Sequence, residues 1–127
     1  MPPVNLIGGW LGILAGVLFG AGIGLFFHQD DWLGGYASYR RRLLRLAHIA
    51  FFGIGFINLA FAATAGQLAL PDPYFRIASW ALIAGLAAMP ACCLLAAWRK
   101  PMRHLFPIAV ACVLTGVLAI LIGWWCQ

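Results

Sequence analysis

Hydrophobic positions in this chain do not alternate with polar ones; they run together. Four stretches, at about 6–27, 46–67, 76–98 and 105–125, are nearly free of charge. About 20 apolar residues, wound as an α-helix, cross the ~30 Å hydrocarbon layer of a bilayer. A transmembrane barrel needs alternating segments of about 10 residues, and the chain has none. The pattern predicts an all-α fold: an integral membrane four-helix bundle, up-and-down, forming a single transmembrane domain over residues 1–127.

Within the first stretch, GGWLGILAGVLFGAGIG places Gly8, Gly12, Gly16, Gly20 and Gly24 at every fourth position. Glycine weakens a helix in water by about 1 kcal/mol relative to alanine. In lipid, small residues four apart let two helix backbones come close. The spacing therefore predicts a packing groove along span one. Its partner is another span, a second copy or another protein.

Composition sharpens this reading. Hydrophobic residues make up 65% of the chain and charged ones 9%, against about 25% charged in soluble domains. A net charge of +5 raises nucleic acid as a partner, but its placement excludes that. Arg40, Arg41, Arg42, Arg45, Arg99, Lys100 and Arg103 lie in two connections, and only Arg76 lies elsewhere. With four spans, the connections at 28–45 and 99–104 fall on one side. The positive-inside rule makes that side cytoplasmic, with both termini and the LALPDPY turn on the outer side. No basic residue precedes the first apolar run, so that run is expected to be retained and not cleaved as a signal peptide. The expected location is a bacterial inner membrane. The expected partners are the lipid bilayer, anionic lipid at the cytoplasmic face, and other membrane subunits or a second copy of the chain.

The connection HQDDWLGGYASYRRRLLR is the one long polar segment. Asp30 and Asp31 beside four arginines predict an ordered loop held by acid–arginine pairs. Ser38 is placed to cap the helix that follows, and Gly34–Gly35 mark a turn. Trp32, Tyr36 and Tyr39 suit the headgroup zone, and Trp124–Trp125 suit the opposite one. Pro90 removes a backbone hydrogen bond within span three and is expected to kink it. Pro107 suits a first helical turn.

Candidate chemistry is sparse. The four cysteines show no metal or redox spacing. No nucleophile–base pair or phosphate loop occurs, so the chain is expected not to be an enzyme. Of the three histidines, His28, His48 and His104, the second lies about a turn inside span two, where an ionisable residue is a functional candidate. Arg45 and Arg41 precede it by three and seven residues on one helix face. That arrangement suits haem b, with His48 on iron, the arginines on propionates and His104, His28, Met102 or a histidine of another chain as second ligand. A metal site from His28, Asp30 and His48 has acceptable donor types. Asn58, deep in span two, must find a hydrogen-bond partner, because bare burial of an amide costs several kcal/mol, about 2–7. It is expected to fix helix packing.

Three functional readings follow. The first is a small non-catalytic subunit of a larger membrane assembly, respiratory or otherwise redox, packing through its glycine-rich first helix. The second is a homo-oligomeric channel or transporter. The third is a small haem b-binding membrane cytochrome with His48 as ligand.

Overall fold

In the computed structural model, residues 3–126 are described; residues 1, 2 and 127 of the expected 1–127 domain lie outside that range. The chain forms four long helices: α1 (Pro3–Gly24), α2 (Tyr39–Leu68), α3 (Asp72–Trp98) and α4 (Phe106–Trp125). Short 3₁₀ turns at Trp32–Gly34 and Lys100–Leu105 complete the connections, and no strand occurs among the described residues. Each long helix is long and apolar enough to cross a membrane.

Helix boundaries follow local chemistry more than the apolar runs. α2 begins seven residues before the expected 46 because Ser38, in an extended conformation, accepts a hydrogen bond from the Arg41 N–H at 3.2 Å. At 30 residues α2 is about 45 Å long, more than the ~30 Å of a hydrocarbon core, so its arginine-bearing first turns extend beyond the apolar part. It stops where Ala69 turns left-handed ahead of Pro71. Helical residues continue unbroken through Pro90, which is buried in α3.

α2 and α3 form the centre, with α1 packed on α2 and α4 packed on α3. The central helices bury 39% and 44% of their most apolar windows, whereas α1 and α4 bury 22% and 17%. The two outer helices therefore present most of their Leu, Ile, Val and Trp side chains outward. Small residues make up much of the interior: Ala47, Ala78, Ala96 and Ala109 are fully buried. Such residues allow the close backbone approach that holds helices together in lipid.

Much of the glycine pattern is used within the chain. A Cβ at Gly12 would meet Leu86 of α3 and then Gly55 and Phe51 of α2, one at Gly16 would meet the Phe52 ring, and His48 closes over Gly20. Gly8 faces Ile83 and Leu86 of α3. Gly24 faces open space, whereas Gly9, outside the four-residue spacing, lies against Leu59 and the Gly55 carbonyl. Ascending positions on α1 thus meet descending positions on α2. α3 and α4 use the same device: Gly85 receives Val113, Gly116 receives Leu82, and Gly123 receives Tyr74.

At one end of the bundle, Leu43 and Leu44 of α2 pack with Ala96 and Ala97 of α3, and Met102 and Phe106 lie against them. Lys100 Nζ lies 5.9 Å from the Tyr39 ring centre. The two basic connections therefore meet at this end. At the other end, Phe61 packs on Phe75, and Leu82 packs with Ala119.

Candidate functional site

Polar side chains collect in two places, one towards each end of the bundle. The first joins Asn5, Asn58 and Ser79. Asn5, in the opening turn of α1, and Asn58 are fully buried, and Ser79 is 5% exposed. Asn5 Nδ2 donates to Asn58 Oδ1 at 2.8 Å and to the Ser79 carbonyl at 3.1 Å. Asn5 Oδ1 accepts from the Ser79 hydroxyl. Asn58 Nδ2 donates to the Ile54 carbonyl at 2.9 Å and the Leu82 carbonyl at 3.2 Å. Both N–H groups of each amide and both amide oxygens are engaged. Such a network ties α1, α2 and α3 together and leaves no amide donor over for a passing solute.

Asn58 is the residue singled out by sequence; Asn5 was missed. The signal existed, since Asn5 is the one polar residue ahead of the first apolar run. It lies one position before the expected span at 6–27 and so reads as outside the membrane, whereas α1 already begins at Pro3.

The second place is the basic end. Arg41 is 2% exposed. Its Nη1 donates to the Gln29 and Asp30 carbonyls at 3.3 and 3.2 Å, and its Nη2 to the Phe27 carbonyl at 3.5 Å. The guanidinium carbon lies 5.1 Å from the Phe27 ring centre, 5.5 Å from Trp32 and 5.9 Å from Tyr36. Nε is buried with no hydrogen-bond partner. Arg45 lies 4.2 Å over the Tyr36 ring and donates to its carbonyl at 3.3 Å. The expected acid–arginine pairing is thus replaced by arginine–carbonyl and arginine–aromatic contacts around Arg41 and Arg45. Asp30 and Asp31 are exposed, and Asp30 meets Arg41 through its main chain. Past the end of α1 the chain turns sharply and offers carbonyls in several directions, and the planar guanidinium fork collects three of them. Gly34 (φ 88°) and Gly35 (φ 91°) supply the left-handed backbone that brings the chain round to Ser38.

His48 is half-buried. Its Nδ1 lies 3.0 Å from the Gly16 carbonyl. A carbonyl only accepts, so Nδ1 carries a proton; in the neutral ring, Nε2 is then the acceptor nitrogen. The ring also meets Phe52 edge-on at 5.2 Å. His48 is therefore tied to the backbone of α1, with Arg41 and Arg45 drawn into the loop. His104 is exposed in the second 3₁₀ turn, lining a shallow pocket of about 240 Å³ with Lys100 and Arg103. His28 is exposed just past α1. Among the described residues, no three His, Cys, Asp or Glu side chains converge into a group able to hold a metal ion. The four cysteines are free; Cys92 and Cys93 are buried in α3. Comparison of the chain with protein-family models, curated proteins and solved structures gave no match.

Proposed function

We propose that the chain is a small, non-catalytic, multi-pass subunit of a larger membrane assembly, most consistent with a respiratory or other redox complex. In this reading the helices cross the bilayer up-and-down. Both termini are on the outer side, and the 28–45 and 99–104 connections face the cytoplasm of a bacterium. The observation that carries the reading is the closed interior. The buried amides of Asn5 and Asn58 satisfy one another and the backbone, which speaks against a solute path between the helices. What the chain offers others is its outside.

That outside is large and apolar. Trp10, Leu14 and Leu18 of α1 and Ile108, Leu114 and Leu121 of α4 are all at least half exposed. Because the glycine groove is filled mainly by α2, partner subunits would meet the opposite, ridged face of α1 rather than the groove. The redox element of the reading rests on His48. Its ring is oriented by an Nδ1–H bond, as the rings of metal-ligating histidines usually are.

One gentle detergent purification tests the reading, with mass spectrometry of co-purifying chains and an absorption spectrum of the same fraction. The expected result is a fixed set of other membrane proteins at constant ratio. A chain that runs alone, or assembled only with copies of itself, overturns the subunit reading. A visible haem band in the isolated chain, lost in His48→Ala, would replace it with a cytochrome.

A further inference from the structure

The basic end carries a cleft of about 520 Å³, apart from the Asn5–Asn58–Ser79 network and bordering the Arg41 cage only at Trp32. Leu18 and Gly22 of α1, Trp32 of the loop, Leu44 of α2, and Leu94 and Trp98 of α3 line it. Its volume lies in the range of small-molecule sites, about 300–1,000 Å³. Leu18 and Trp98 are 64% and 68% exposed, so the cleft opens sideways, towards the lipid in a membrane-spanning chain. Gly22 leaves it room, since a Cβ there would meet nothing within 4 Å. The loop wall is stiff. Trp32 stacks on Phe26 at 5.3 Å and 12°, and Arg41 sits against Trp32 while bonding the carbonyl of Phe27.

Two cations adjoin residues that line this apolar cleft. Arg40 lies one turn before Leu44 on the same face of α2, and Arg99 directly follows Trp98. Both are exposed. Neither is held in the Arg41 cage, which leaves both guanidinium groups available to an anion. An oily slot with two exposed cations next to its lining residues matches an amphiphile with an apolar chain and an anionic head.

We propose that this cleft is a binding site for one anionic phospholipid, an acyl chain lying between α1 and α3 and the headgroup phosphate at Arg40 and Arg99. The proposal rests on the membrane-spanning part of the proposed function and not on partner chains. The two therefore fail separately: one through co-purifying proteins, the other through lipid retained by the chain itself.

The test is native mass spectrometry of the full chain in mild detergent with equimolar phosphatidylglycerol and phosphatidylcholine. Each cation near an anionic headgroup contributes roughly a fivefold preference, so two predict about thirtyfold selection of phosphatidylglycerol. Arg40→Gln with Arg99→Gln is expected to reduce the selection to within about threefold while lipid still binds. Gly22→Leu fills the cleft and is expected to lower retention of both lipids at least about tenfold, because the chain loses its buried methylenes. Gly24→Leu makes the same change two residues on, in open space outside the lining, and is expected to bind as the parent does. Should Gly22→Leu fail to fold, Leu94→Trp fills the cleft from α3 and is read in its place. Equal retention of the two lipids by the parent overturns the proposal. So does undiminished binding in the cleft-filling variant, or a neutral isoprenoid found in the cleft instead.

Discussion

Replacing Asn58 with leucine is the most informative single perturbation, because leucine is similar in size and removes only the amide chemistry. Asn5 Nδ2 would lose its 2.8 Å acceptor in a site with no exposure. The Ile54 and Leu82 carbonyls would lose a side-chain donor but keep their helical partners. An interhelical hydrogen bond in lipid contributes about 0.6–2 kcal/mol. A buried N–H left without a partner costs about 1–3 kcal/mol. The single variant is therefore expected to lose roughly 2–4 kcal/mol. Asn5→Leu should cost a similar amount, because it leaves Asn58 Oδ1 without a donor. The double variant should cost less than the two together, with a coupling of about 1–2 kcal/mol, since no orphaned amide remains. Reversible unfolding in mixed micelles, followed by helical circular dichroism, measures all three. Single costs below about 0.5 kcal/mol, or costs that simply add, would refute the reading of these amides as a mutually satisfied lock.

Other outcomes follow from the same contacts. Arg41→Lys keeps the charge but not the fork, and should speed amide exchange over residues 25–38 about thirtyfold, equivalent to ~2 kcal/mol of lost charged hydrogen bonding; unchanged protection would contradict the three-carbonyl grip. Gly20→Ala should cost about 1–3 kcal/mol by overpacking against His48, and His48→Ala should relieve most of that cost. Gly24→Ala, facing open space, should be neutral or stabilising by up to about 1 kcal/mol. Equal effects at Gly20 and Gly24 would mean that the groove does not face α2.

Fold class was readable because a bilayer imposes a length. Four nearly uncharged runs of that length have few other destinations, and four long apolar helices are what the chain forms. The glycine spacing also predicted a packing face, but not its limits. Four-residue spacing drifts around a helix with 3.6 residues per turn, so Gly24 has rotated off the contact while Gly9 has come onto it. The reciprocal pairs Gly85–Val113 and Gly116–Leu82 had no periodic signal, because each is a single knob in a single hole. The polar sites depended on what lies far away in sequence. Asn58 announced a need for a partner, but not that Asn5, 53 residues earlier, would meet it. Asp30 and Asp31 beside arginines suggested ion pairs, yet only the folded turn reveals three carbonyls better placed for Arg41. Where His48 points is likewise set by Gly16 and Gly20 across the helix pair.

Sidedness underlies both the proposed function and the lipid site, and fusion reporters measure it directly. Alkaline phosphatase and green fluorescent protein, each placed in turn after Gly34, after Pro101 and at the two ends of the chain, should divide cleanly. Fluorescence without phosphatase activity is predicted at Gly34 and Pro101, and phosphatase activity without fluorescence at both termini. Phosphatase activity at either basic connection, or opposite results at the two termini, would contradict four crossings with the arginines gathered on the cytoplasmic side.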